Sequence, residues 1–464
     1  MNNIKRIFRS NSGIATLLSL AVFVFCLMLL TGCGSKTEET APPTPEAKSE
    51  KVMPKDQPVL EDSVLYLAQA QFVNKKDPKT GKTVPVPGPA RLAIWSYDLI
   101  QGWTEEILED PESDVFHKAA WFEPPYGEPG ILTIGARQAH LKVWRKNEKG
   151  EYEAESLWNP TFGGKNDRLR DFELADINDD GLDEICIATH DEGVVAILFW
   201  QAGKYIPREL TRRPNTFVHE IEVGDVDGDG IAEMFSTPSN PNKMDGSVQP
   251  GGIDMFQWED GEYVQSEVEY LDHRHAKEIL CASVNELKRP VVFTALEGEN
   301  LGATNAGDTT KIRMYEFDGS NNIKKTDIMN LPGHLCRFLT MGDTDGDGIN
   351  ELIASTSKNG IWRLEPPKVE GSAWKKTLVA TGTSGFEHST YLSDLNDDGL
   401  DEIYVASDNQ KQLRVYSWNG RGYSAEVIGE LTGNVITFNV VAKKGTKPKK
   451  SSNLETAEAV KETD

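Results

Sequence analysis

A chain of 464 residues with a formal net charge of −24 is too long for one small core and suits a large all-β domain or a few smaller ones. The acidic balance argues against nucleic-acid binding, whose electrostatic footprint is basic. It suits an acidic, soluble domain of the kind that can be loaded with cations.

The first elements are targeting sequence. MNNIKRIFRSNSG carries Lys5, Arg6 and Arg9, and the next nineteen residues, IATLLSLAVFVFCLMLLTG, are almost wholly apolar. Cys33 follows, and Leu30-Thr31-Gly32-Cys33 resembles the lipobox of bacterial lipoproteins. That resemblance implies cleavage of residues 1–32, lipid on the Cys33 thiol, and a membrane-anchored exported protein, at the outer membrane or cell surface in a diderm host. A plain signal peptide or a membrane-spanning anchor is the alternative, because the apolar run is long enough to span a bilayer. Residues 33–58 are rich in Pro, Glu, Lys and Thr and read as a disordered tether. Residues 443–464 have the same character, which leaves 59–442 as the folded body. Cys186, Cys281 and Cys336 fall in apolar strand-like runs and read as buried thiols. A Cys281–Cys336 bridge is a possibility without support from spacing.

Two units recur along the body. The first is an acidic loop: DINDDGLDEI (176–185), DVDGDGIAEM (225–234), DTDGDGINEL (343–352) and DLNDDGLDEI (394–403), with worn copies at 121–135 and 282–293. The second is a strand with a bulky aromatic end, a turn and another strand. It occurs seven times, from RLAIWSYDLIQGW (91–103) to QLRVYSWNGRGY (412–423). In HEIEVGD, Ile221 and Val223 face one side and Glu220 and Glu222 the other, as a half-buried strand requires. Each unit therefore reads as four strands, and four strands seven times is the signature of an all-β, seven-bladed β-propeller. The first blade begins at DSVLYLAQA (62–70) without its inner strand, and NVITFNVVA (434–442) is a lone strand that would close the ring.

The four acidic loops, the blade period and the flanking strands resemble FG-GAP/VCBS repeat proteins, relatives of the integrin α-subunit propellers. The resemblance covers about 59–442. Asp or Asn side chains at loop positions one, three and five, Gly at six, a carbonyl at seven and a carboxylate at nine make an oxygen cage suited to Ca²⁺. The expected ligands are Asp176, Asn178, Asp180, the Leu182 carbonyl and Glu184; Asp225, Asp227, Asp229, Ile231 and Glu233; Asp343, Asp345, Asp347, Ile349 and Glu351; and Asp394, Asn396, Asp398, Leu400 and Glu402. The family often has Asp at position nine, where this chain has Glu. An EF-hand shares D-x-D-x-D-G but needs Glu at position twelve, which here is Ile187, Ser236, Ala354 and Val405. Solvated acidic turns are the simpler alternative. Four structural Ca²⁺ ions, bracing the first two strands of four blades, are the expectation.

Function is expected on the face opposite those loops. Three connections there are long: 71–90, 236–252 and 297–310. A basic residue also stands six positions before each loop copy: His117, Arg170, His219, Lys277, Arg337 and His388. On innermost strands these would ring the channel mouth and could hold an anionic group such as a uronate, sulfate or phosphate. Pairing with acidic neighbours such as Glu220 and Glu222 is the alternative. The sequence carries no GxSxG and no HExxH. The expectation is non-catalytic binding of a protein or glycan ligand at the envelope. A glycan-active lyase or hydrolase at the channel mouth is one alternative, and a scaffold subunit of an envelope complex is another.

Overall fold

The computed structural model describes residues 58–164, 167–190, 192–241, 249–285, 288–297, 309–318, 322–369 and 371–446. The stretches expected to be the signal segment and nearly all of the tether, with Cys33, residues 242–248 and 298–308 of two long connections, and most of the C-terminal tail lie outside these residues. Among the described residues every regular element is a strand, and no helix is long and apolar enough to cross a membrane.

The strands form five four-stranded antiparallel sheets and one nine-stranded sheet. The large sheet holds two further four-stranded groups, joined only where Ala70 pairs with Val115. Seven groups result, and the innermost strand of each touches the next in a closed cycle. Those innermost strands are Val115–Phe122, Leu169–Ala175, Phe217–Gly224, Ala276–Ala282, Cys336–Gly342, Thr390–Ser393 and Val435–Lys443. The last belongs to the C-terminus. It pairs antiparallel with Val64–Lys76, from Val64–Lys443 to Gln71–Val435, so the two ends of the body share one sheet and leave no inner edge open.

Packing follows the same cycle. One apolar cluster fills each junction between successive groups. Leu132 and Ile134 meet Phe172 and Ile187; Leu395 and Tyr404 meet Leu65 and Val440 where the ring closes. The aromatic ends of the hairpins supply much of this core: Tyr315 is fully buried and Tyr416 nearly so. Burying each such side chain stabilises the fold by roughly 1.5–3 kcal/mol. The structure is a β-propeller.

Two local readings differ from the sequence expectation, and the reading of the cysteines as thiols agrees with it. Residues 71–90 are no irregular loop: Thr83–Pro87 folds back on the extended end of the first strand, pairing Phe72 with Pro87 through Lys76 with Thr83. The order also continues past residue 442, since Lys443 pairs with Val64 and Lys444 Nζ lies 2.8 Å from Asp397 Oδ1. Finally, Cys186, Cys281 and Cys336 are all free thiols, and burial raises the pKa of each.

Candidate functional site: a bulge ring across the propeller channel

On five of the innermost strands the basic residue is the one that drops out of the ladder. The pairing runs Phe116–Gly135 then Lys118–Ile134, omitting His117. It omits Arg170 between Leu169 and Asp171, Lys277 between Ala276 and Glu278, and Arg337 between Cys336 and Phe338. The step from Val218 to Ile221 omits His219 and Glu220. A bulge adds an unpaired residue and re-aims its side chain. The closing strand repeats the device at Phe438, omitted between Thr437 and Asn439. His388 precedes its strand in left-handed backbone at φ 57°. The ladder groups freed by the bulges find partners in the neighbouring blade. Ile221 N donates to Asp171 Oδ2 at 3.0 Å, and Leu339 N to Glu278 Oε1 at 3.0 Å.

This ring divides the channel. Above it is a cavity of about 340 Å³, lined by His117, Arg170, His219, Arg337 and Phe438 together with Asp114, Arg137, Arg168, His190, Phe386 and Glu387. Below it is a second of about 310 Å³, lined by Lys118, Asp171, Glu173, Glu220, Glu222 and Glu278. Four of the six basic residues thus reach the mouth cavity. The other two do not line it. Lys277 is buried against His219 Nε2, and the His388 ring is held by the Thr356 carbonyl at 2.8 Å and the Thr383 hydroxyl at 2.9 Å.

The arginines of the ring are already compensated. Glu297 Oε1 accepts from Arg337 Nε at 3.0 Å, and Arg337 Nη1 donates to Glu387 Oε1 at 3.0 Å. Glu387 Oε2 lies 3.9 Å from Arg170 Nη2, which is 3.1 Å from Glu220 Oε1. These five side chains form an alternating ion chain across the channel. Burial opposes the charge on Arg170 and Arg337, but the carboxylates outweigh it and keep both firmly protonated. Glu220 is the pairing partner expected from sequence. Glu222 instead faces the lower chamber, where Lys118 bridges Asp171 at 3.0 Å and also bonds Glu173.

The histidines are neutral. Burial first, then nearby cations, drives His117, His190 and His219 well below the usual imidazole range. Burial takes His388 down to about 4. His190 was not expected from sequence. It stacks on Phe217 with ring centroids 4.5 Å apart, and its Nε2 lies 3.2 Å from His219 Nδ1. The Lys277 amine lies against His219 Nε2, and with His190 Nε2 facing His219 the other ring nitrogen of His190 is Nδ1. That Nδ1 and Glu387 Oε2 are both buried without a hydrogen-bond partner among the described residues. Two further arginines complete the mouth. Arg168 lies over the Phe217 ring at 5.2 Å. Arg137, in left-handed backbone at φ 59°, pairs with Asp114 at 2.8 Å and remains two-thirds exposed.

The acidic loops are built alike. Position six is a glycine with positive φ in each: Gly181 (82°), Gly230 (96°), Gly348 (81°) and Gly399 (85°). Its N–H donates to the position-one aspartate, as in Gly181 N to Asp176 Oδ2 at 2.8 Å and Gly399 N to Asp394 Oδ2 at 3.1 Å. The position-five aspartate accepts from residue seven: Leu182 N to Asp180 at 2.9 Å, Ile231 N to Asp229 at 2.8 Å, Ile349 N to Asp347 at 3.0 Å and Leu400 N to Asp398 at 2.9 Å. Position nine is buried, and one of its oxygens anchors the loop. Ile177 N donates to Glu184 Oε2 at 3.2 Å, Val226 N to Glu233 Oε2 at 3.0 Å and Thr344 N to Glu351 Oε2 at 3.1 Å.

These residues fit a hard cation. Carboxylate oxygens of Asp225, Asp227 and Asp229, and of Asp343, Asp345 and Asp347, lie within 4.8 Å of one another. Glu184 Oε1 and Glu402 Oε2 are buried with no hydrogen-bond partner among the described residues. Burial first, with nearby aspartates adding to it, pushes Glu184 and Glu402 up to about 8 and Glu233 to about 7. A buried carboxylate oxygen of this kind is one that a bound cation would satisfy.

Residues 176–236 match the FG-GAP-like repeat family. The match spans the first two acidic loops and the blade segment between them, so the repeat's acidic turn here joins the first and second strands of a blade. No curated protein matches the chain in sequence. Its fold is similar to that of the periplasmic gluconolactonase PpgL of Pseudomonas aeruginosa, at 11% identity and a TM-score of 0.50, covering 83% of this chain and 100% of that one. A protein from Lactobacillus plantarum is similar at 10% identity and a TM-score of 0.51, with 83% and 100% covered. A hypothetical selenium-binding protein from Sulfolobus tokodaii is similar at 11% identity and 0.51, with 85% and 97% covered. At these identities the likeness is one of fold.

Proposed function

We propose that the protein is a lipid-anchored, calcium-stabilised propeller of the bacterial envelope that binds an anionic group of a glycan or protein ligand at the channel mouth, without catalysis. The observation that carries this reading is the mouth cavity itself. Its floor is an ion chain whose charges are already paired. Above that floor stand His190, with a buried ring nitrogen left without a hydrogen-bond partner among the described residues, and the side chains of Arg137 and Arg168. A carboxylate or sulfate in this cavity would meet the two guanidinium groups, and charge-assisted bonds of this kind are about twice as strong as neutral ones. The acidic loops lie at the other end of the blades and serve to brace them. Cys33 and the apolar run before it support the anchor, and D-x-(D/N)-x-D-G-x-x-E supports the metal.

One observation favours a second reading. Glu387 presents a buried oxygen without a hydrogen-bond partner to the same cavity as His190, and a carboxylate beside a neutral imidazole can move a proton. The similar fold of PpgL, named as a gluconolactonase, makes hydrolysis of a sugar lactone or acidic glycan the form this would take. The two readings separate in one experiment. The full chain is titrated calorimetrically with oligogalacturonate and with neutral oligosaccharides of equal length, and the mixtures are then analysed for products. Saturable binding of the acidic series alone, weakened at least tenfold in Arg137→Ala/Arg168→Ala and without turnover, is the expected result. Product formation abolished by Glu387→Gln would establish the enzyme instead. Equal binding of neutral and acidic series would overturn the anionic reading.

A further inference from the structure

The third acidic loop matches the cation-binding pattern with three aspartates, yet its cage contains a guanidinium. The cause lies in the cross-strand register. Two residues after each position-nine glutamate, the second strand of the blade pairs with the third. The pairs are Cys186–Ile197, Phe235–Met255, Ile353–Arg363 and Tyr404–Val415. Three loops therefore face an apolar side chain at that point, and the third faces Arg363.

Arg363 is buried, at 5% exposure. Its Nη2 lies 2.8 Å from Glu351 Oε1 and also bonds Asp345 Oδ2, while Nη1 donates to Glu365 at 3.1 Å. The guanidinium carbon sits 5.5 Å from the centre of the Trp418 ring in the next blade. The other oxygen of Glu351 is occupied as well, by Thr344 Oγ1 at 2.6 Å. Neither oxygen is left for a metal, unlike Glu184 Oε1 and Glu402 Oε2. Lys368 Nζ adds a second cation, 2.7 Å from Asp347 Oδ2. Three of the expected ligands, Asp345, Asp347 and Glu351, thus already have cationic partners.

We infer that Arg363 is the resident cation of the third loop: it takes the place that calcium takes in the other three. The loop keeps the cage's shape because a buried, fork-shaped guanidinium satisfies two carboxylates at once. A divalent ion there must first displace an arginine held by three carboxylates. The inference rests on the calcium reading of the remaining loops.

The test counts calcium per chain by elemental analysis, after dialysis of the full chain in detergent against micromolar Ca²⁺. It compares wild type, Arg363→Met (which copies the second loop's Met255) and Asp227→Asn/Asp229→Asn. About three ions in wild type, about four in Arg363→Met and about two in the loop-two variant are expected. Four in wild type, or no gain in a folded Arg363→Met that binds three, would overturn the inference. Melting in EGTA gives a readout independent of bound metal. Arg363→Met should melt several degrees below wild type there, and Ca²⁺ should remove the difference. Should no version bind calcium, the calcium reading fails by itself. The EGTA melts then still decide the role of Arg363: a lowered melting temperature upholds it and an unchanged one overturns it.

Discussion

Arg337 donates from Nη1 to Glu387 Oε1 at 3.0 Å, and the same carboxylate faces Arg170 at 3.9 Å, so one glutamate serves two buried arginines from different blades. Removing it leaves both cations without their shared counter-charge in a desolvated channel. Glu387→Ala is expected to destabilise the protein by about 3–5 kcal/mol, the usual cost of breaking a buried ion network by one partner. Urea unfolding monitored by tryptophan fluorescence measures it. Arg170→Met/Arg337→Met/Glu387→Leu, which removes the set together, should recover most of the loss.

Acid should weaken the fold through the buried histidines. Their folded pKa values lie below the unfolded value near 6.5: well below for His117, His190 and His219, about 2 for His275 and about 4 for His388. Below pH 6.5 the unfolded chain therefore binds more protons, and stability falls as pH drops toward the folded values. The stabilisation is fully present above pH 7. Melting temperature against pH in calcium buffer should decline from about pH 6.5 downward, and His190→Phe/His219→Leu should flatten the upper part of that decline.

The closing strand should be indispensable to cooperativity. Val435–Lys443 pairs with Val64–Lys76 across eight positions and buries Val440 in the junction of the last and first groups. Ending the chain at Leu431 exposes two sheet edges, a template for association. Loss of a single sharp thermal transition and a rise in light scattering are expected. A truncated chain that melts like wild type would mean the ring does not depend on this pairing.

Much of the fold is visible in sequence because a propeller repeats its information. The seven aromatic hairpins and four acidic turns mark the blades, and the spacing of six residues from basic residue to acidic loop places side chains on matching rungs. What is hidden is whatever depends on backbone pairing between strands. No local pattern distinguishes a bulged Arg170 from one in regular register, so the ring was legible in residue type and not in aim. Phe438 carries no signal in a pattern of cations, because its blade supplies an aromatic at that rung. Glu387 and Arg137 stand on connections whose course the sequence leaves open. Arg168 had a usable signal in its alternation with Arg170. Arg363 needed the pairing Ile353–Arg363, which depends on the turn between two strands.

The measurement closest to the central claim is a thermal melt of the full chain with Ca²⁺, with EGTA, and with EGTA plus excess Mg²⁺. At a calcium concentration a thousandfold above the dissociation constant, each cage stabilises the native state by about 4 kcal/mol. The account predicts a calcium-specific rise of at least ten degrees over EGTA and little effect of Mg²⁺, which resists the flexible, water-poor ligation these loops offer. Equal melting temperatures in all three buffers would contradict it and leave the acidic loops as solvated turns.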